Sequence, residues 1–215
     1  MLFRSKKNLG IIFDEHMFWT NYIDSIVSKA YGRLKQAYKF RNFLSIESRF
    51  NIIETYVLSL FNYGNILYQN ISARLANKIQ RVQNSCMRFV FGLRKYDHIS
   101  HCFETKKTLN MENRRKLHSL ILMHKISLGL APEYLSEKII RHSDIHTYNT
   151  RARENIAVPR ANSTLRSNTF FISAPKLYND ILPKLNLNQL SKVSVNTFRE
   201  KCKKYLISQQ FPHLV

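Results

Sequence analysis

His98-Ile99-Ser100-His101-Cys102 places three zinc-type ligands within five residues. A structural zinc ion wants four such ligands at recognisable spacing. A fourth ligand would have to come from far along this chain, so the segment is expected to be a helix start with a buried cysteine. No metal and no cofactor is expected. The carboxylates offer no more. Polymerases and nucleases clamp divalent ions between clustered acids, but the 14 Asp and Glu are scattered and only Asp14 and Glu15 are adjacent. The chain contains no Tyr-x-Asp-Asp, Asp-x-Asp or His-Glu-x-x-His, no Gly-x-Ser-x-Gly elbow, and no glycines close enough to cradle a phosphate. Catalysis by this chain alone is not expected.

The chemistry that the sequence does carry is charge. Lys and Arg number 34 against 14 acids, for a net charge of +20 and a pI near 10.1. Such an excess repels itself in a compact domain, and a polyanion relieves it. Nucleic acid is the expected partner, bound through its phosphates, with an anionic membrane surface as the rival. No stretch approaches the roughly 20 apolar residues needed to span a bilayer, and Met1 to Lys7 has no apolar core of signal-peptide length. Cys86, Cys102 and Cys202 are odd in number and far apart, which suits reduced core thiols of an intracellular protein, nuclear or cytoplasmic, rather than a disulfide framework.

The elements that must position this charge are mostly helices. Hydrophobic residues make up 44% and aromatics 12% of the 215 residues, enough for one sizeable core or two small subdomains. Leu9 to Asp14 reads as a short strand and turn. Ile23, Ile26, Ala30, Leu34 and Ala37 form one apolar stripe of a long helix, with Lys29, Arg33, Lys35, Lys39 and Arg41 mostly off it. Ser45 is the expected N-cap of a helix that stops at Tyr63-Gly64, with Glu47 at its positive end. The pattern is clearest from Ser72 to Phe91. Leu75, Ile79, Val82, Cys86, Phe89 and Val90 form its buried face, and Arg74, Lys78, Arg81 and Arg88 form a second stripe beside it. Gly92 ends the helix. A helix from about Met111 to Leu128 buries Leu117, Leu120, Ile121, His124 and Leu128. Arg114, Arg115 and Lys116 crowd its first turn, the wrong end for cations, which suggests an anion beside them. All five prolines lie after residue 131, so the chain is expected to be more broken there, with a short strand at Thr169 to Ile172. A last helix, about Val195 to Gln209, carries Phe198, Cys202, Tyr205 and Leu206 on one face.

Several of these segments, in this order, resemble one family. Asn8-Leu9-Gly10-Ile11-Ile12-Phe13-Asp14 is similar to the "YLG-hydrophobic-x-hydrophobic-D" segment just past the palm in reverse transcriptases of non-LTR retrotransposons, the jockey-like group especially. Leu44-Ser45-Ile46-Glu47-Ser48-Arg49 resembles its "LS-x-E-x-R", Leu60 to Gly64 its "hydrophobic-x-x-YG", Ile79 to Asn84 its "IQ-x-x-Q-N" and Arg88 to Gly92 its "R-F-hydrophobic-x-G". Later, Tyr148-Asn149-Thr150-Arg151 resembles "Y-x-TR" and Val158-Pro159-Arg160 "VPR". Ala174 to Pro183 resembles "GP-x-LWN-x-LP", with Ala174 for Gly and Tyr178 for Trp. Phe198 with the lysines after it resembles a closing "FK-x-x-L-K" helix. The order and spacing cover nearly the whole chain.

The resemblance implies a mainly α fold, a thumb-like helical bundle followed by a more irregular helical region with one short strand pair. The implied division is a palm-edge remnant at 1–14, a bundle at 15–95, connecting helices at 96–140 and a C-terminal region at 141–215. It implies part of an RNA-directed DNA polymerase lacking the catalytic aspartates, which would lie before residue 1. In such enzymes the thumb grips the template-primer duplex by its backbone, without reading sequence. RNA or an RNA/DNA duplex is thus the expected partner, other parts of a retrotransposon polymerase a further one. The residues expected to carry the contact are Lys29, Arg33, Arg74, Lys78, Arg81, Arg88, Arg114 and Arg115. Two other readings stand beside this one: a helical adaptor with aromatic surfaces for a protein partner, and a truncated reading frame without a selected function.

Overall fold

A computed structural model of the chain describes residues 5–145, 147–148, 153–185, 187 and 193–212. The fold is mainly α, with one two-stranded antiparallel sheet among the described residues. It divides into two compact units, Met1–Glu112 and Asn113–Val215. That break falls inside the segment read above as connecting helices.

The first unit opens on a hairpin of β1 (Ser5–Asn8) and β2 (Ile11–Asp14), in register Ser5↔Asp14 to Asn8↔Ile11. Leu9 and Gly10 both take positive φ, 46° and 84°, as the tight turns that match the twist of a hairpin require. The Asp14 carboxylate then accepts from the Phe18 and Trp19 amides at 2.7 and 2.8 Å. It thereby satisfies amides at the start of α1 (Thr20–Tyr38). Ile23, Ile26, Ala30, Leu34 and Ala37 are buried, as their spacing predicts, with Tyr22 and Val27 widening the stripe.

The helix expected between Ser45 and Tyr63 is three pieces. The Ser45 hydroxyl accepts from the Ser48 amide at the start of α2 (Ile46–Ile52), so the N-cap reading holds. Ile53–Val57 then winds as a π turn, with the Leu58 amide donating to the Ile53 carbonyl, before α3 (Ser59–Asn62). One residue inserted into a helix re-aims everything after it, and apolar periodicity over so short a stretch carries no sign of it. Next comes α4 (Ala73–Phe91), which buries Leu75, Ile79, Val82, Cys86, Phe89 and Val90 and ends on Gly92 at φ 79°. It packs on α1 through Tyr38 and Phe89, whose rings meet edge-on at 4.9 Å. A short α5 (Ser100–Thr105) buries Cys102 and Phe103.

Gly64, at φ 63°, lies where an added Cβ would sit 2.6 Å from Ile11 Cδ1. Gly64→Ala should therefore destabilise the unit by about 1–2 kcal/mol, the cost of forcing an L side chain into the left-handed region. The check is the urea midpoint at unchanged slope, and an unmoved midpoint contradicts it. Gly32, mid-helix with nothing within 4 Å of an added Cβ, is the opposite case. There Ala should stabilise by up to about 1 kcal/mol.

The second unit holds most of α6 (Met111–Ser127), the short α7 (Glu133–Ser136), α8 (His142–Ile145) and α9 (Thr164–Ser167), then α10 (Phe170–Ile181) and α11 (Val195–Gln210). Leu117, Leu120, Ile121 and His124 are buried on α6, while Leu128 is only half-buried. The strand expected at Thr169 to Ile172 is instead the start of α10. Phe170, Phe171 and Ile172 favour strands by propensity, but Ile172, Ala174, Pro175, Tyr178 and Ile181 are buried at helical spacing, and packing overrides propensity. On α11 Phe198, Cys202 and Leu206 are buried and Tyr205 half-buried. Asn149, Thr150 and Arg151 of the "Y-x-TR" resemblance lie outside the described residues.

Candidate nucleic-acid interface

The eight cations expected to meet phosphate do very different things. On α4, Arg74 and Arg81 are exposed and, recurring at a seven-residue interval, share its outer face. No acid lies in ion-pair range of either among the described residues. Lys78, between them in sequence, is turned toward α1, where its ammonium lies 2.6 Å from an Asp24 carboxylate oxygen. Both partners keep more than a third of their side-chain surface in water, so the pair is worth no more than about 1 kcal/mol. It still occupies Lys78. Arg88 is half-buried and donates to the Asp97 carbonyl at 3.3 Å. The stripe read as four phosphate contacts thus supplies two, because α1 and the 94–97 turn cover the others.

On α1, Lys29 is exposed with no ion-pair partner among the described residues. Arg33 is spent on structure: it donates to the Tyr56 carbonyl at 2.6 Å, and its guanidinium lies 4.8 Å from the Tyr56 ring centroid. Lys35 and Lys39, also exposed, add charge to the same helix.

Arg114 and Arg115 belong to the second unit. Arg115 is only 3% exposed, so its guanidinium cannot meet a duplex backbone, and that expectation is corrected. The helical turn that looked misloaded with cations has Glu112 in it and folds one of them inward. Arg114 is half-buried. It stands with Arg199 among the causes that hold the His118 imidazole below its ordinary pKa, after burial, which is the largest.

The polar signature segments turn out to be ties between elements. Arg49 donates to the Arg41 carbonyl and to the Val90 carbonyl, both at 3.1 Å. It thus satisfies a backbone acceptor in the last turn of α4. Gln80 accepts from the Met111 amide at 2.9 Å, and the fully buried Gln83 donates to the Leu109 carbonyl at 2.8 Å. Tyr63 donates to the Leu9 carbonyl, holding the hairpin turn. Lys106 pairs with Glu47. These residues tie α4 and the segments around it together, and their polar groups are spent on those ties. The His98–Cys102 segment does form a helix start with a buried thiol, which burial pushes above the ordinary cysteine pKa. Among the described residues no group of three His, Cys, Asp or Glu could hold a metal ion, and no helix is long and apolar enough to cross a membrane.

No family model, curated protein or solved structure matches the chain. The interface therefore rests on its own geometry: Lys29 on α1, and Arg74 and Arg81 on α4, on helices held together by Asp24–Lys78 and Tyr38–Phe89.

One group beside these cations was missed at the level of sequence. Gln36, Phe40 and Tyr56 surround a cavity of about 230 Å³, with Ala37, Leu44 and Ile52 completing its lining. Lys29, Arg33 and Gln36 follow one another at i, i+4 and i+7, which was readable as one flank of α1, and Phe40 lies in the turn just past its end. That Tyr56 closes the other side was not, because the π turn places it.

Proposed function

We propose that this chain grips nucleic acid by its sugar-phosphate backbone and performs no chemistry itself. This is the role of the thumb in the non-LTR retrotransposon reverse transcriptases that its sequence resembles. The observation that carries the reading is the set of exposed cations Lys29, Arg74 and Arg81 on packed helices, with no acid in ion-pair range among the described residues. Flexible, paired or buried cations would argue nothing. These lie on packed helices, where a phosphate contact costs little reorganisation. Contacts from such residues to phosphate give affinity without sequence preference.

The test is affinity for a 20-base-pair RNA/DNA hybrid and for two unrelated DNA duplexes between 50 and 500 mM salt. The expected result is a logarithmic slope of at least about −2.7, at roughly −0.9 per neutralised phosphate on a duplex, with the two DNA sequences bound alike. Equal binding at both ends of the salt range rejects the reading.

A protein partner is the second reading. Phe43 is 87% and Phe18 67% exposed, aromatic surface of the kind that a protein partner covers. Salt-insensitive association with a polypeptide, and none with nucleic acid, would favour it.

A further inference from the structure

The cavity beside α1 is built for something flat, mostly apolar and uncharged. Its lining comprises Gln36, Ala37, Phe40, Leu44, Ile52 and Tyr56, with no charged side chain among them. It is open to solvent, since Phe40 is 61% and Tyr56 42% exposed. Tyr56 is fixed from three sides. Its carbonyl accepts from Arg33, its ring lies under the same guanidinium, and its hydroxyl donates to Gln36 Oε1 at 2.7 Å. That last bond orients the Gln36 carboxamide. Its amide nitrogen, which no described residue accepts from, remains as a donor at the cavity rim, and the Tyr56 oxygen remains as an acceptor. A carboxamide is the side chain that pairs with the donor and acceptor pattern of a base edge.

Charge complementarity decides the occupant. The flank of α1 that carries Gln36 also carries Lys29, seven residues earlier and exposed. At 1.5 Å per residue this is about 10 Å along the helix, or about three nucleotides of one strand at 3.4 Å each. Lys35 is exposed on the same helix, and Lys39 is exposed just past its end. A strand held by its phosphates at Lys29 therefore reaches the cavity within a few nucleotides. There it meets an aromatic face, and a basic track leading to stacking aromatics is the combination with which proteins hold single strands.

We infer that this cavity takes one unpaired nucleobase of the bound nucleic acid, stacked on Phe40 or Tyr56 with its edge toward Gln36. The inference rests on the nucleic-acid reading above. It adds to that reading that the first unit holds a single-stranded end or overhang more tightly than a blunt duplex.

The experiment compares a blunt 20-base-pair DNA duplex with the same duplex bearing a five-nucleotide overhang that contains one 2-aminopurine. Wild-type protein should bind the overhang form more tightly and quench the 2-aminopurine fluorescence by stacking. Phe40→Ala should weaken overhang binding by roughly five- to 150-fold, the range for loss of one stacked base, and abolish the quenching. It should leave blunt-duplex affinity unchanged. Phe40 is exposed enough that the variant keeps its fold, which circular dichroism verifies, and Gln36→Leu supplies a second variant that should alter quenching without touching a phosphate. If both DNAs bind with steep salt dependence but Phe40→Ala treats them alike, the base site is overturned and the backbone reading stands. If neither DNA binds, both fall.

Discussion

Changing Lys29, Arg74 and Arg81 together to Ala is expected to reduce duplex affinity at 0.1 M salt by roughly 10²–10³-fold. The estimate follows from counterion release: each phosphate contact contributes about 0.9 to the slope of log K against log salt, and the electrostatic contribution fades toward 1 M. Three contacts over one decade of salt give about 2.7 logarithmic units. The slope itself should fall by about the same amount, a more stringent readout than affinity because general loss of folded protein leaves it unchanged. None of the three side chains makes an ion pair among the described residues, so the melting temperature should hold. Lys78→Ala is the built-in contrast. Its ammonium already lies 2.6 Å from Asp24, so its loss should change the slope by less than one of the others. An unchanged slope in the triple variant would remove these faces from the interface, whatever the affinity did.

The second large effect concerns the second unit and acid. His124 is fully buried, stacked on Phe198 with ring centroids 4.1 Å apart. Its two nitrogens lie 3.0 Å from the Val193 carbonyl and 3.0 Å from the Tyr178 hydroxyl. A carbonyl only accepts, so Nε2 carries the proton and Nδ1 accepts from Tyr178. Burial pushes the Tyr178 hydroxyl far above the ordinary tyrosine range and the neighbouring Cys202 thiol up to about 12, so Tyr178 keeps the proton it donates. Protonating His124 would bury a charge and require the Tyr178 hydroxyl to turn from donor to acceptor. Accordingly its pKa is lowered, with desolvation the first cause and the bond to Val193 opposing it. A group whose folded pKa is depressed below its unfolded value of about 6.5 costs stability as pH falls through that window. For a histidine this happens because the unfolded chain binds the proton first.

Stability of this unit should thus be flat above about pH 7 and fall below pH 6.5. The slope should be about 1.4 kcal/mol per pH unit for His124 until its folded pKa is passed. His118, lowered by burial and then by Arg114 and Arg199, falls in the same direction. Urea unfolding at pH 7.5, 6.5 and 5.5 reads the effect. His124→Gln should flatten the curve below pH 6.5 while lowering stability at pH 7.5, because the stacking on Phe198 is lost. A wild-type curve that stays level to pH 5.5 would show that His124 is not held neutral.

Long apolar stripes were legible along the chain because they obey one local rule. Ile23 to Ala37 and Leu75 to Val90 repeat at helical spacing, and both bury the faces that spacing predicts. Capping was legible for the same reason: Ser45 and Gly92 act on backbone groups a few residues away. What the sequence by itself determined is therefore a mainly helical, strongly basic chain, its principal buried faces, and which cations lie off those faces. It could not say which of those cations are free. That depends on what packs beside each one: Asp24 takes Lys78, the Asp97 carbonyl takes Arg88, the Tyr56 carbonyl takes Arg33, and the interior takes Arg115. Each of these partners lies between nine and 54 positions away or belongs to the core, beyond the reach of any helical period. The helical start at Phe170 follows burial at helical spacing rather than local propensity, and the π turn at Ile53–Val57 likewise buries Ile53 and Val57. Tertiary packing thus took Lys78, Arg88, Arg33 and Arg115 out of the set of candidate phosphate contacts, and it placed Tyr56 against Gln36 and Phe40 to make a cavity.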